Sequence, residues 1–174
     1  HIEPNRTLTF IQKIQIKGVP FALLAFLFYV TAEAAVGLWG SSYLVQIKNI
    51  SAGLAATWIA MYYGGITIGR LISGFVSFKL SNQQLVFYGI LISLIGVLLM
   101  LLPLPHWIIP MALILIGLGF APIFPSLIHE TPERFGKDLS QDIIGYQIAA
   151  AYLGGATLPP LFGVVAKHTS MALF

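Results

Sequence analysis

The sequence predicts an all-α polytopic membrane protein with five transmembrane helices, and three observations indicate this class. Of its 174 residues, 57% are hydrophobic and only 9% are charged, whereas roughly 25% are charged in a soluble domain. The mean hydropathy is +0.88. The apolar residues are gathered in long runs that suit the roughly 30 Å hydrocarbon core of a bilayer. So few charges exclude an intrinsically disordered protein and a nucleic-acid-binding module, and they predict the lipid bilayer as the partner of this chain.

The first 19 residues are too polar to cross a membrane, and we assign residues 1–19 to a cytoplasmic linker or an interfacial segment. Leu8, Phe10 and Ile11 are interspersed with Lys13 and Lys17, which fits an amphipathic segment lying at the lipid surface. A linker without regular structure fits the same residues. A cleaved signal peptide does not, because the apolar run that follows is too long and lacks a small-residue cleavage site.

Residues 20–174 form the predicted transmembrane helical bundle. Its spans are about 20–47, 52–80, 85–104, 108–127 and 143–165, each long enough at 1.5 Å per residue. The third span ends at a PLPHW corner, where Trp107 marks the headgroup level.

Prolines and charges predict irregular backbone near the fourth and fifth spans. Pro122 and Pro125 are expected to bend or stop the fourth span, and Pro159-Pro160 requires a kink in the fifth. The most charged segment, HETPERFGKDLSQD at residues 129–142, is expected to be a loop in water.

The distribution of basic residues predicts the orientation. Five spans place the termini on opposite sides, and one side carries Arg6, Lys13, Lys17, Lys79, Arg134 and Lys137 against Lys48 and Lys167 on the other. By the positive-inside rule, the N-terminus is cytoplasmic and the chain is a multi-pass protein of the cell (inner or plasma) membrane. Residues 169–174 look like the start of a sixth helix, so we expect a fragment truncated before its last helix.

Two ionisable residues lie inside the predicted spans, Glu33 in the first and Arg70 in the second. Each costs about 2.5–3.5 kcal/mol at mid-bilayer unless it is paired or hydrated. Helical rise places Glu33 roughly 20 Å and Arg70 roughly 15 Å from the same face, so the arginine can reach the carboxylate directly or through a neighbour. One interpretation makes Glu33 a proton or substrate acceptor with Arg70 as its switchable counter-ion. The other is a fixed structural ion pair.

Polar and small residues repeat along one face of the second span. Tyr63, Thr67, Arg70, Gly74 and Ser77 form a single stripe at helical spacing. Lipid rejects such a stripe, so it faces either a water-filled path or other helices. In the same helix, the GxxxG spacing of residues 65–69 predicts close contact with a neighbouring helix.

Two further residues are candidates for contact with a solute. Trp39 lies beside Gly37 and Gly40, where a loosened helix and an aromatic ring suit stacking on a sugar; an interfacial anchor is the alternative. Gln147 in the fifth span is a candidate reader of hydroxyl groups, or else a hydrogen-bonding contact between helices.

Catalytic chemistry is not predicted. The chain has no cysteine, its histidines lack metal-ligand spacing, and no catalytic dyad lies at membrane depth. We therefore expect neither an enzyme, a cofactor nor a metal site.

Three segments resemble a known family. GGITIGRLISGF in the second span, GLGFAPIFPSL in the fourth and GYQIAAAYLGGATLPPLFG in the fifth resemble the C-terminal half of a major facilitator superfamily transporter, closest to its fucose permease-type sugar:proton symporter branch. The resemblance covers residues 20–167 and implies helices seven to eleven of twelve, within a six-helix half-bundle. Of the family's loop signature, Gly74 and Lys79 remain, whereas the Asp is absent.

The resemblance implies a secondary transporter that moves a small polar solute, a sugar, with protons by alternating access. It also implies a partner, the N-terminal six-helix half, without which we expect the fragment to be inactive. A homodimer that buries the polar stripes is another arrangement we consider. The alternatives are a drug or metabolite:proton antiporter half and a non-transporting membrane interaction protein.

Overall fold

The computed structural model describes residues 8–174, which form seven helices and one short 3-10 turn. In chain order these are α1 (Phe10–Ile14), α2 (Val19–Gln46), α3 (Ala52–Val76), α4 (Asn82–Leu101), α5 (Ile108–Phe120), α6 (Ile123–Phe135), α7 (Lys137–His168) and the turn Met171–Leu173. Part of the assigned linker, including Arg6 from the charge count, lies outside the described residues.

Five helical segments are long and apolar enough to cross a membrane, namely α2, α3, α4, the joined α5 and α6, and α7. This confirms the predicted all-α polytopic class. The break between α5 and α6 falls at Ala121 and Pro122, where a proline was predicted to bend or stop the helix, because proline lacks the N–H of a helix interior. In contrast, α7 continues as one helix through Pro159 and Pro160.

The charged segment at residues 129–142 is helical, so the predicted loop is wrong. α6 extends to Phe135 and α7 begins at Lys137. Two contacts support the helix: Arg134 Nη2 lies 2.7 Å from Glu130 Oε1, and the Thr131 hydroxyl oxygen lies 3.0 Å from the carbonyl oxygen of Leu127. The turn is confined to Gly136, whose φ of 83° is a conformation that glycine adopts without strain. The loop was predicted from the high density of charged residues. Glu130 and Arg134 are, however, four residues apart, which is the spacing of an ion pair on a helix.

The helices pack through small residues. α2 lies against α7, while α3 and α4 both lie against α5. A Cβ atom on Gly65 would come within 2.5 Å of the Ile114 carbonyl oxygen, and one on Gly69 within 2.6 Å of the Ala121 Cβ. The two glycines therefore allow α3 and α5 the close approach that their spacing predicted. Tyr62 and Leu113 fill the core beside this contact.

The short helix α1 is held against the start of α7. Lys13 forms an ion pair with Asp142, and the ring of Phe10 meets that of Tyr146 edge-on at 4.9 Å. The hydrogen bond to Asp142 raises the pKa of the Lys13 ammonium. Phe10 and Ile11 remain largely exposed. The assignment of residues 1–19 to an interfacial segment or a cytoplasmic linker stays a prediction.

Candidate functional site

The structure brings Glu33 and Arg70 together, as their depths in α2 and α3 predicted. Arg70 Nη2 lies 3.9 Å from Glu33 Oε1. At this distance the two side chains form an ion pair, but their separation exceeds the 2.7–3.2 Å typical of a hydrogen bond. The Glu33 side chain is 25% exposed and that of Arg70 57% exposed. Because both groups remain partly accessible, the pair contributes about 1 kcal/mol or less to stability, and either member is free to interact with a solute.

Two tyrosines hold Glu33 in place. The Tyr29 hydroxyl donates to the Glu33 carboxylate, and it also lies 3.0 Å from the carbonyl oxygen of Phe120. The Tyr62 hydroxyl donates to the backbone carbonyl of Glu33 at 3.2 Å. Tyr29 precedes Glu33 by four residues, so helical spacing already placed them on one face. Tyr62 had no such signal, because its partner is on another helix.

A cavity of about 300 Å³ opens beside the ion pair. Glu33 and Arg70 supply its charges, Tyr152 adds a hydroxyl group, and the remaining wall is apolar; the lining residues are Val30, Glu33, Arg70, Phe124, Ile148, Ala151 and Tyr152. Hence α2, α3, α6 and α7 all contribute. An apolar pocket with a few convergent polar groups is the usual form of a small-molecule site.

The predicted polar stripe of α3 is largely exposed, although Arg70 meets Glu33 of α2 and Tyr63 lies over Gly37 of α2. Tyr63 is 50% exposed, and Thr67, Gly74 and Ser77 are exposed as well. The hydroxyl of Thr67 donates to the Tyr63 carbonyl at 3.0 Å, which leaves its oxygen able to accept a hydrogen bond. Of the predicted site residues, Tyr63 and Thr67 thus share the open face with Arg70.

Trp39 lies elsewhere, at the contact between α2 and α7. Its indole Nε1 donates to the Pro159 carbonyl at 2.7 Å, and its ring meets Phe162 edge-on. The indole is therefore engaged by α7 and does not line the cavity beside Glu33. α2 is also continuous across Gly37 and Gly40; the ring of Tyr63 lies over Gly37, and Ile59 lies over Gly40.

Gln147 also lies outside the cavity beside Glu33. It is 2% exposed, and its Oε1 accepts a 3.0 Å hydrogen bond from the Thr131 hydroxyl. This geometry corresponds to the helix-to-helix contact, the second of the two interpretations, and links α6 to α7. This partner could not be predicted, because Thr131 lies in the segment that was expected to be a loop.

A larger cavity of about 450 Å³ lies among α2, α4, α5 and α7. Among the described residues that line it, none is charged, and its polar groups are limited to hydroxyls such as those of Thr31 and Tyr43. The ion pair does not border this cavity. Size alone therefore does not identify the polar site.

The sequence matches a known family over most of its length. Residues 3–159 match the sequence model described as Major Facilitator Superfamily. No solved structure matches the chain.

Three curated relatives cover most of the chain. Two proteins of Helicobacter pylori, both provisionally named glucose/galactose transporters, are 28% (strain J99) and 26% (strain 26695) identical over 149 residues. The yeast Bypass of stop codon protein 6 of Saccharomyces cerevisiae is 27% identical over 159 residues. Each alignment covers 86% of this chain but only 36%, 36% and 32% of the respective relative. The chain therefore spans about a third of their length.

Proposed function

Because the chain belongs to the Major Facilitator Superfamily, we propose that it is part of a secondary active transporter that moves a small sugar together with protons by alternating access. The family indicates a transporter rather than an enzyme. The names of the two Helicobacter pylori relatives support glucose or galactose as the solute. The proposal rests mainly on the 300 Å³ cavity beside Glu33 and Arg70, which we call the cleft.

Glu33 is the proposed proton carrier. It lies well inside a membrane-spanning helix, where a carboxylate is costly unless it is paired or hydrated. The ion pair at 3.9 Å is loose, and 25% of the Glu33 side chain is open to the cleft. Protonation of Glu33 would release Arg70, so one proton changes the charge of the cleft and the freedom of its counter-ion.

Tyr63 and Thr67 are proposed to line the solute path. Both lie on the exposed face of α3 with Arg70, and hydroxyl groups suit hydrogen bonding to sugar hydroxyls. Trp39 and Gln147 take part only indirectly in this scheme, through the α2–α7 and α6–α7 contacts.

The open face requires a partner to close it. The exposed stripe on α3 and the open cleft support a facing set of helices, and we propose that residues 1–174 alone do not catalyse coupled transport. The proposed partner is a six-helix half that precedes these helices. Pairing of two copies of this chain is a second arrangement, which cross-linking in mild detergent would detect as a covalent dimer.

The proposed orientation places α1 and the α6–α7 turn in the cytoplasm. Among the described residues at that end lie Lys13, Lys17, Lys79, Arg134 and Lys137, against Lys48 and Lys167 at the opposite end. The positive-inside rule supports this orientation.

Uptake into proteoliposomes tests the proposal. The protein expressed from its complete coding sequence is reconstituted, and radiolabelled glucose and galactose are supplied with and without an inward proton gradient. Accumulation should require the gradient and disappear with a protonophore. Equal uptake in both conditions would exclude proton coupling. Exchange of protons for a cationic drug, without sugar uptake, would instead favour an antiporter.

A further inference from the structure

Arg70 also borders a second cavity, whose other lining residues are all different from those of the cleft. This cavity has a volume of about 260 Å³ and lies between the end of α3, the start of α4 and α6. Its polar lining consists of Arg70, Ser73, Ser77, Asn82, Ser126 and His129. Roughly 10–15 Å³ of such space is enough for one water molecule. The cavity is therefore large enough for a small hydrated solute.

The chemistry of the lining favours an anion. Among the described residues that border this cavity, none is acidic, and Arg70 supplies a permanent positive charge. The helix ends contribute little net field, because the negative end of the α3 dipole and the positive end of the α4 dipole meet there. Glu130, the carboxylate next to His129 in the sequence, is engaged by Arg134 and by Gln83.

The remaining groups complete a hydrogen-bonding wall. Ser126 is only 3% exposed yet borders the cavity. The hydroxyls of Ser73 and Ser77 donate to carbonyls of their own helix, so their protons are directed away while Arg70, Asn82 and His129 are able to donate. Arg70 has five N–H donors and stands 3.9 Å from Glu33, beyond hydrogen-bond distance, so donors remain for a ligand.

We infer that this cavity is an oxyanion site, in which Arg70 binds a phosphate group with support from Asn82, Ser126 and His129. The phosphate belongs either to a soluble molecule or to a lipid headgroup, since both present the same oxygens to a planar guanidinium. Arg70 would then alternate between the bound phosphate and Glu33. The inference depends on the cavity and does not require sugar transport.

Binding of inorganic phosphate to the purified protein in neutral detergent tests the soluble source. Arg70→Gln should weaken binding at least tenfold, Arg70→Lys less because the bidentate fork is lost but the charge remains, and Ser126→Ala several-fold. Lys79→Gln is the matched control, because it removes a positive charge at the same end of α3 from a residue outside the cavity. It should change binding by less than twofold. Size-exclusion profiles identify any variant that fails to fold. If Arg70→Gln fails to fold, the test rests on Arg70→Lys and Ser126→Ala.

Nanodiscs test the lipid source. Discs with phosphatidylglycerol are compared with discs of phosphatidylcholine, and retention of the anionic lipid after detergent extraction is measured for the same variants. Loss of retention in Arg70→Gln but not in Lys79→Gln assigns the site to a headgroup. If Arg70→Gln and Lys79→Gln lose phosphate and lipid binding equally, or neither variant loses any, the oxyanion site is excluded. Because no transport is measured, failure here leaves the transport proposal intact.

Discussion

The Arg70 guanidinium on α3 lies 3.9 Å from the Glu33 carboxylate on α2, and the hydroxyl of Tyr29 donates to the same carboxylate. Glu33 is therefore held firmly by a neighbour on its own helix and loosely by a counter-ion on another. A fixed structural pair would be expected at hydrogen-bond distance. The arrangement instead gives the arginine room to move without releasing the glutamate.

Tyr29→Phe should weaken transport by removing the hydroxyl that orients Glu33. A hydrogen bond to a charged group contributes about 1.5–3 kcal/mol, so we expect at least a tenfold lower rate of sugar uptake with little change in the amount of folded protein. Initial uptake rates in proteoliposomes measure this. Tyr88→Phe is the matched control on the exposed face of α4; an equal loss in both variants would assign the effect to something other than Glu33.

Gly65→Ala should destabilise the bundle, because its Cβ would meet the backbone of α5 at Ile114. Overpacking of this kind costs about 1–3 kcal/mol. Gly64→Ala places the same methyl group where nothing lies within 4 Å, and its better helix propensity favours stability by up to about 1 kcal/mol. In detergent, at one heating rate, the midpoint of thermal unfolding should therefore fall for Gly65→Ala and rise for Gly64→Ala. A lower midpoint for Gly64→Ala than for Gly65→Ala would contradict the packing of α3 on α5.

The Gln147 and Thr131 pair should be a stabilising contact between α6 and α7. A double-mutant cycle with Gln147→Leu and Thr131→Val should give a coupling energy near 0.6 kcal/mol, the average for such bonds within membranes. Unfolding of the four proteins measures it. An unchanged midpoint together with a raised KM for the sugar in Gln147→Leu would restore the alternative role of Gln147 as a reader of solute hydroxyls.

The contact between α1 and α7 should depend on Asp142 and persist across the physiological pH range. The hydrogen bond that Lys13 donates to Asp142 raises the pKa of the Lys13 ammonium, so the contribution of this pair is fully present below the ordinary lysine pKa and is lost only as the pH rises through the raised value. Asp142→Asn should speed tryptic cleavage after Lys17 several-fold, by the same ratio at pH 7 and pH 9. Asp138 is an acidic residue in the first turn of α7 that does not belong to this ion pair. The control variant Asp138→Asn should therefore be cleaved by trypsin at the wild-type rate.

The membrane-spanning architecture was predictable because it follows from local hydrophobicity. The run from Leu85 to Leu104 and the proline break at Pro122 needed no knowledge of partners. The pairing of Glu33 with Arg70 was also predictable, since depth in antiparallel helices follows from counting residues. The contacts of Gln147 and Trp39 were harder to predict, because each side chain hydrogen-bonds to a group that is distant in the sequence. The loop prediction for residues 129–142 was wrong, because the opposite charges of Glu130 and Arg134 pair along a helix.

The most direct test of proton coupling concerns Glu33, whose carboxylate we propose to carry the transported proton. Glu33→Gln keeps the shape and a hydrogen-bonding group but cannot titrate. In proteoliposomes, sugar counterflow without a gradient should continue within a few-fold of the wild-type rate, while proton-driven accumulation should be lost. Accumulation by Glu33→Gln at the wild-type level would contradict the claim and leave Glu33 as a structural partner of Arg70.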